Sequence, residues 1–176
     1  MNESVIHEIS PVWDSESRIL LLGTMPSPAS RKACFFYMHP QNRFWKVLPA
    51  VFEEKLIFAN NDQCIEEAIN ERKSFLLRHN IALWDVLSSC DISGASDSSI
   101  RNAVPNDFTE ILERSKIHHV FCTGKTAFAL WNKLCSAKYE KLFGIECGCL
   151  PSTSPANAVW SAERLVEAYN IIRGCF

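Results

Sequence analysis

The sequence predicts an α/β protein, a three-layer α/β/α sandwich around a central, mainly parallel sheet of about four strands. Three observations lead to this prediction. Short apolar runs with the character of buried strands recur along the chain, and segments with apolar residues at helical spacing follow them. Strands and helices alternate throughout, as they do in parallel α/β folds. At 176 residues the chain has the length of one domain, so we expect residues 1–176 to form a single domain.

Four apolar runs are the candidate strands. The first ends in Gly and Pro, which is typical of a central strand that stops at a loop. The second leads into a polar stretch over 88–99. Because helical segments separate the candidates, we expect them to pair mainly in parallel. The candidate strands cover residues 18–23, 81–87, 117–122 and 145–150.

The helix predictions rest on apolar periodicity and on capping residues. Residues 42–52 show helical spacing, and Pro49 is expected to shorten or bend this helix. Residues 61–79 place their apolar side chains on roughly one stripe, which predicts one or two helices. The candidate first residues of the other helices are Asn106 as a cap for 107–114, Gly124 and Lys125 after the third strand, and Ser161 as a cap for the last helix.

Composition and charge exclude some classes of protein. Hydrophobic residues make up 47% of the chain and charged residues 22%, and no apolar run approaches the ~20 residues of a membrane helix. The N-terminus shows no signal-peptide pattern, so we expect an intracellular protein, in the cytoplasm or in the nucleoid or nucleus. The net charge of −2 argues against a chain whose whole surface binds nucleic acid. A local basic face stays open, and its candidates are Arg31, Lys32, Arg43, Lys46 and Lys125.

The eight cysteines do not form a metal-binding motif. Only Cys147 and Cys149 are close together in the sequence, and the paired C-x-x-C motifs that signal zinc are absent. Cys122 lies in an apolar run, where a thiol packs as a small hydrophobic side chain. We therefore expect free thiols in a reducing compartment and no metal site.

Two polar segments carry the candidate functional residues. Each directly follows an apolar run, and ligands of open α/β sheets bind outside the carboxyl ends of the strands. A loop that only reverses the chain does not need an asparagine, a histidine and an aromatic cluster together. The first segment contains Gly23-Thr24-Met25-Pro26-Ser27 and, after Tyr37, His39-Pro40-Gln41-Asn42-Arg43-Phe44-Trp45. The second segment is Pro151-Ser152-Thr153-Ser154-Pro155-Ala156-Asn157.

With both segments in this order, the chain resembles the uracil-DNA glycosylase superfamily over roughly residues 19–160. It resembles more narrowly the hypoxanthine-DNA, or deoxyinosine, glycosylase branch. The stretch 39–45 is shared with mismatch-specific uracil glycosylases, whereas 151–157 is the element that discriminates the branch. Further matching residues are Ile81-Ala82-Leu83-Trp84-Asp85-Val86-Leu87, Ser89-Cys90, Asn106-Asp107-Phe108 and Gly124-Lys125.

The resemblance implies a monofunctional DNA glycosylase with a uracil-DNA glycosylase-like fold. Such an enzyme flips a deaminated base out of DNA, at a cost of roughly a few kcal/mol, and hydrolyses its N-glycosidic bond in base excision repair. We expect hypoxanthine as the first substrate and uracil as the second, without strand cleavage. We also expect no metal or nucleotide cofactor, no membrane association, and a monomer whose partner is DNA containing the deaminated base.

The resemblance also implies roles for single residues. Asn42 matches the asparagine associated with catalysis in the hypoxanthine branch. Tyr37 matches the aromatic residue that stacks on the flipped base, and 152–157 match the loop that grips phosphates and wedges into the gap in the helix. The residues expected to bind the base are Gly23, Thr24, Met25, Pro26, Tyr37, His39 and Thr123. The residues expected to bind DNA are Ser27, Lys125, Ser152, Thr153, Ser154, Pro155, Ala156 and Asn157.

Two residues depart from the pattern of many relatives. Met25 stands where relatives carry an Asp or Asn that handles the attacking water, and a thioether does not position water by hydrogen bonding. Thr123 stands where relatives often carry Asn, so the paired donor and acceptor of an amide are lost there. The second departure weakens the case for uracil as a substrate.

Several of these residues also fit purely structural roles. Asn42 fits a helix N-cap, His39 fits a loop residue satisfied by backbone, and Asp85 and Asp107 fit structural caps. At the level of function, the alternatives are a uracil or mismatch glycosylase on the same fold, a catalytically idle DNA-binding module, and a small-molecule α/β hydrolase or transferase.

Overall fold

The computed structural model describes residues 3–58, 64–94 and 96–176, and it shows two β-sheets in these ranges. The first sheet contains β2 (Ile19–Gly23), β3 (Ile81–Asp85), β6 (His119–Thr123) and β7 (Cys147–Leu150). Its order is β3-β2-β6-β7, and all of its strand pairs are parallel. The second sheet contains β1 (Glu3–Ile6), β4 (Leu87–Ser93) and β5 (Ser96–Pro105). Its order is β1-β4-β5, and it is antiparallel.

Helices flank the parallel sheet on both faces. They are α1 (Pro28–Ala33), α2 (Phe44–Val51), α3 (Ile65–Arg78), α4 (Thr109–Arg114), α5 (Lys125–Leu134), α6 (Ser136–Phe143) and α7 (Ala162–Tyr169), followed by a 3₁₀ helix, Asn170–Cys175. No helix within the described ranges has the length and apolar character needed to cross a membrane. Likewise, in the described part of the chain no three His, Cys, Asp or Glu side chains are grouped so that they would hold a metal ion.

Strand β2 is the centre of the core and is fully buried. Because successive side chains of a strand point to opposite faces, β2 contributes to two apolar layers. Ile19 and Leu21 belong to the layer that contains residues of α2, α3 and α7. Leu20 and Leu22 belong to the layer that contains residues of α4, α5 and α6. This arrangement confirms the predicted three-layer α/β/α fold with a four-stranded parallel sheet.

The four predicted strands are all present with slightly shifted bounds. The stretch 61–79 contains one helix, α3, and residues 61–63 lie outside the described residues. The predicted cap Ser161 is confirmed, because its Oγ accepts a hydrogen bond from the Arg164 amide. Pro49 does not end α2, which continues to Val51.

The prediction that Asn106 caps a helix was wrong. The amide of Asn106 donates to the backbone oxygens of Asp85 and Leu87, both at 3.0 Å, and α4 begins only at Thr109. The chain turns from β3 into β4 at these two carbonyls, so the side chain closes the turn between strands instead of a helix end. Asp107 does fit its structural role, since its Oδ1 accepts from the Thr109 amide.

The antiparallel sheet was not predicted. The polar stretch 88–99 forms β4 and the first part of β5, which pair with register shifts typical of β-bulges. Only part of β4 is buried, with Leu87, Cys90 and Ile92 in the core, and β5 is exposed or half-buried along its length. Because serines dominate this segment, its apolar alternation is too weak to mark strands.

Leu21→Ala tests the central position of β2. Leu21 is fully buried, so removing its side chain is expected to lower the free energy of unfolding by about 2–5 kcal/mol. Leu142→Ala is the control, because Leu142 is 57% exposed and its loss is expected to cost much less. Urea unfolding of both variants measures the difference, and equal midpoints would contradict this description of the core.

Candidate active site

A cavity of about 630 Å³ opens at the carboxyl edge of the parallel sheet. The ends of β2, β3 and β6 contribute to it, and so do the loop that follows β7 and the hairpin formed by β4 and β5. It brings together the two polar segments that are far apart in the sequence. The lining residues are 23–27, Ser30, Phe36, Tyr37, His39, Asn42, Asp85, Ile92, Gly94, 96–98, Thr123 and 152–157.

The Arg43 guanidinium holds the two segments together. Its Nη2 donates to the backbone oxygens of Ser154 and Asn157 at 2.8 and 3.0 Å, and its Nε donates to that of Thr153 at 3.3 Å. Nη1 donates to the backbone oxygen of Trp160. A guanidinium offers five donors in a rigid fork, which suits several carbonyls converging on one side chain. Arg43 therefore fixes the shape of the 152–157 loop.

Asn42 is oriented by two donors to its side-chain oxygen. Its Oδ1 accepts from the Phe44 amide at 2.9 Å and from the Thr153 hydroxyl at 2.8 Å. Because the Phe44 N–H can only donate, it requires an oxygen and so assigns the amide orientation, and Nδ2 is the other end of the group. Among the described residues, Nδ2 has no hydrogen-bond partner. Asn42 therefore serves the start of α2 and also brings an unused N–H donor to the cavity.

Tyr37 is held rigidly at the cavity wall. Its backbone has a φ of 55°, and its ring stacks on Phe44 with centroids 3.9 Å apart. Its hydroxyl lies 2.6 Å from the Thr123 Oγ1, which itself donates to the Leu22 backbone oxygen. Tyr37 is therefore the donor to Thr123. Burial raises the pKa of the Tyr37 phenol well above its usual value, and the negative charge of Asp85 adds to this.

Gly23 is needed where β2 meets the cavity. A Cβ at this position would lie 2.2 Å from the Asp85 Oδ1 and 2.9 Å from the Tyr37 hydroxyl. Both contacts are shorter than real Cβ contacts, so any side chain here would displace the carboxylate. The absence of a side chain lets Asp85 and Tyr37 approach the end of β2 closely.

Asp85 is a buried carboxylate with a histidine partner. Asp85 is 4% exposed, and its Oδ2 lies 2.8 Å from the His7 Nε2. The His7 Nδ1 accepts from the Ile9 amide at 3.2 Å, so the ring proton is on Nε2 and points at Asp85. The interpretation of Asp85 as a structural cap does not describe its side chain, which is hydrogen-bonded to His7 and lines the cavity.

Asp97 is a second carboxylate at the same cavity, supplied by β5. Its Oδ2 accepts from the Thr24 hydroxyl at 2.8 Å. Burial raises the pKa of the Asp97 carboxyl, the charge of Asp85 raises it further, and the Thr24 bond opposes the shift. Asp97 therefore holds a proton more readily than an exposed aspartate does.

The 152–157 loop is ordered by its own hydrogen bonds. Ser152 Oγ accepts from the Ser154 backbone amide, and Ser154 Oγ accepts from the Ala156 backbone amide. The side-chain Nδ2 of Asn157 donates to the Ser152 backbone oxygen. Thr153 is 1% exposed, so its side chain points inward, towards Asn42, and away from solvent. The tip of the loop, Pro155 and Ala156, is exposed.

Every residue predicted for the site lines the cavity except Lys125. Lys125 is exposed and borders an adjoining depression that also includes Ser152 and Asn157. Ser27 lines the cavity but also caps α1, since its Oγ accepts from the Ser30 amide. The Nδ1 of His39 accepts a hydrogen bond from the Gln41 backbone amide. This fits the alternative, structural role of His39 as a loop residue whose side chain bonds to the backbone.

Sequence reasoning missed the contribution of the hairpin and of β3. The missed lining residues from these elements are Asp85, Ile92, Gly94, Ser96, Asp97 and Ser98, and Ser30 and Phe36 were missed as well. The one available signal is Gly94 between two segments of strand length, which is typical of a hairpin turn.

Comparisons with known proteins agree with one another. A model of the uracil DNA glycosylase superfamily matches residues 11–173. A protein named hypoxanthine DNA glycosylase from Methanosarcina acetivorans is 31% identical over 166 residues, which cover 92% of this chain and 94% of that protein. A protein of the same name from Methanosarcina barkeri is 29% identical over 150 residues, with coverage of 84% and 85%. A solution NMR structure from Methanosarcina acetivorans, provisionally named uracil DNA glycosylase, superposes with a TM-score of 0.75 at 26% identity and covers 98% of this chain and 99% of its own.

Arg43→Lys tests the link between the two segments. Lysine keeps the positive charge but lacks the fork, so we expect faster amide exchange in 152–157 and a loss of about 2 kcal/mol in the free energy of unfolding. Hydrogen exchange followed by mass spectrometry measures the first effect and urea unfolding the second. Lys46→Ala, on the exposed face of α2, is the control. Unchanged exchange in the loop would show that Arg43 does not hold it.

A spectrophotometric titration tests the burial of the tyrosines. The chain has three, and burial raises the pKa of Tyr37, Tyr139 and Tyr169. At about pH 10, where a free phenol is half ionised, the folded protein is expected to show little tyrosinate absorbance. Because the folded state disfavours ionisation, the free energy of unfolding should fall as the pH rises above this value. A phenol that titrates normally in the folded protein would contradict the description.

Proposed function

Since this chain belongs to the uracil DNA glycosylase superfamily, we propose that it hydrolyses the N-glycosidic bond of deoxyinosine in DNA. The reaction releases hypoxanthine without cleaving the strand. DNA glycosylase is the activity that the family supports, and hypoxanthine is the finer part of the proposal. Two relatives, 31% and 29% identical to this chain, carry the name hypoxanthine DNA glycosylase. The observation that carries the proposal is the cavity in which Asn42 and Tyr37 meet the 152–157 loop.

The cavity has the size and lining for an extruded nucleotide. Its volume of about 630 Å³ falls within the range of small-molecule sites in proteins. Tyr37 offers a ring that Phe44 keeps fixed, so a flipped base can stack without reordering the wall. Extrusion costs roughly a few kcal/mol and is cheapest for a poorly paired base, which favours deaminated bases over normal ones.

Asn42 is the residue proposed to act on the reacting atoms. When the bond between C1′ and the base nitrogen breaks, its electron pair leaves with the base and the sugar becomes an oxocarbenium-like cation. The free Nδ2 of Asn42 is a preorganised donor that can stabilise the departing base or hold the attacking water. Thr153 and the Phe44 amide hold the opposite end of the group, so no reorganisation is needed.

Met25 is 9% exposed and packs into the core, so the first loop offers a thioether where relatives offer a polar side chain.

The 152–157 loop is proposed to enter the DNA. Its exposed tip, Pro155 and Ala156, is small and apolar, which suits a wedge in the space that the base vacates. The hydroxyls of Ser152 and Ser154 and the neighbouring Lys125 are proposed phosphate contacts. Such contacts predict that affinity for DNA falls steeply with salt. We propose that one copy of the chain, acting as a single domain, binds one lesion.

Uracil is the second candidate substrate, favoured by the provisional name of the solved structure. The Thr123 hydroxyl counts against it. That group already donates to the Leu22 backbone oxygen and accepts from Tyr37. It therefore offers no paired donor and acceptor to the edge of a pyrimidine.

A base-release panel tests the proposed function. Purified protein in excess is incubated with duplexes that contain deoxyinosine, deoxyuridine, deoxyxanthosine or a thymine mismatch, and free base and abasic sites are measured. We expect the fastest release from deoxyinosine. Faster release of uracil would favour the second candidate, and binding without release of any base would identify a catalytically idle DNA-binding module.

Asn42→Asp tests the assignment of Asn42. The substitution keeps the shape and the oxygen that accepts from Phe44 and Thr153, but it removes the Nδ2 donor. We expect release of hypoxanthine to slow by about 100-fold or more, as when one donor to developing charge is removed, with little change in unfolding. Asn132→Asp, on the exposed face of α5, is the matched control. Full activity of Asn42→Asp would remove the assignment.

A further inference from the structure

Two carboxylates from different strands line the cavity. The roles proposed above for Asn42 and the 152–157 loop do not involve them. Asp85 ends β3 beside Gly23, and Asp97 lies on β5 and is bound by Thr24. They are close enough for the charge of Asp85 to raise the pKa of Asp97. In enzymes, two carboxylates held in different environments commonly divide the roles of proton acceptor and proton donor.

Asp85 has the environment of a fixed anion. The Nε2–H of a neutral His7 points at its Oδ2, and the Ile9 amide holds the other side of the imidazole ring. The Oδ1 lies under Gly23, at the inner end of the cavity, where no side chain separates it from the first loop. His7 therefore fixes the direction of the carboxylate without bringing a positive charge.

Asp97 has the environment of a proton carrier. Its one hydrogen bond in the described structure comes from the Thr24 hydroxyl to Oδ2, so Oδ1 is available to a ligand in the cavity. Asp97 interacts with the Thr24 hydroxyl, with the charge of Asp85 from β3 and with Cys90 from β4. Arg31, whose charge acts on Cys90, is paired with Glu3. No cation in the described residues balances Asp97 directly. Bound DNA adds phosphate charge and excludes water, and both changes favour the protonated form.

We propose that Asp97 donates the proton that the departing purine takes up, and that Asp85, positioned by His7, accepts the proton of the attacking water. This inference rests on the glycosylase activity proposed above and names the acid and the base of the same site. It also accounts for Met25, because the carboxylate absent from the first loop is supplied by β3 and β5.

The proposed step balances in protons and electrons. The bond between C1′ and N9 breaks, its electron pair goes to the purine, and the proton of Asp97 goes to N7. A water oxygen bonds to C1′, and its proton goes to Asp85. Exchange with solvent then returns a proton to Asp97 and removes one from Asp85, so the net reaction is the hydrolysis of one glycosidic bond.

This division of roles predicts a preference for purines. A purine can accept a proton at N7 while it leaves, whereas uracil has no corresponding ring nitrogen and departs as an anion. A donor aimed at the leaving base is therefore more valuable for hypoxanthine than for uracil. The hairpin that carries Asp97 would be a determinant of substrate choice.

The test compares two leaving groups. One duplex contains deoxyinosine, and the other contains N7-methyl-deoxyinosine, whose base is already cationic and needs no proton. We expect Asp97→Asn to slow single-turnover release from deoxyinosine by about 100-fold, and to slow release from the methylated substrate by less than about tenfold. The wild-type rate on deoxyinosine should also fall as the pH rises, and the Asp97→Asn rate should not. Equal losses on both substrates, or no loss on either, would overturn the proposal.

Asp85→Asn supplies the second arm. Because both substrates need an attacking water, we expect this variant to lose activity on both, by about 100-fold. His7→Gln should lower the rate at saturating enzyme without changing DNA affinity, as expected for a positioning residue. Asp91→Asn, on the same hairpin as Asp97, is the control and should keep the wild-type rate. Full activity of Asp85→Asn would overturn its assigned role.

Failure of this inference is distinguishable from failure of the proposed function. A wild-type protein that releases no hypoxanthine defeats the function itself. If the wild-type protein releases hypoxanthine and the Asp97→Asn variant releases it equally fast, only the assignment of Asp97 as the acid fails.

Discussion

The hydrogen bonds of Arg43 and Asn42 to the 152–157 loop are the constraint on which the site depends. They connect residues separated by about 110 positions in the chain, and they do so through backbone carbonyls and one buried hydroxyl. Tyr37 stacks on Phe44, which follows Arg43 directly, so the stacking ring belongs to the same rigid unit. A displacement of the loop would therefore move the donor, the stacking ring and the wedge together.

The parallel sheet explains why these segments can meet at all. All four strands end at one edge, so the loops that follow β2, β6 and β7 start close together although they are far apart in sequence. Gly23 then lets Asp85 and Tyr37 approach the end of β2. The antiparallel hairpin closes the remaining side, and its polar residues make the cavity more acidic than the loops alone would.

Much of the fold and of the candidate site could be predicted from the sequence. The features that could not be predicted were missed for identifiable physical reasons. The buried strands were visible as apolar runs, and the site loops were visible as polar segments after them. The hairpin was not, because its serines hide the alternation of a strand. Arg43 was expected on a basic face, yet it points inward, and only three-dimensional contacts reveal which carbonyls it serves. Asp85 and Asn106 are similar cases, since a lone polar residue in a sequence does not reveal its partner.

We propose that a hypoxanthine base, turned out of DNA, occupies the cavity between Tyr37, Asn42 and the 152–157 loop. A crystal structure with a duplex containing 2′-fluoro-deoxyinosine, whose fluorine slows loss of the base, tests it most directly. We expect the base stacked against Tyr37 with the Asn42 Nδ2 within hydrogen-bond reach, and Pro155 and Ala156 in the vacated space. A base that stays stacked in the duplex, or that binds at another surface, would contradict it.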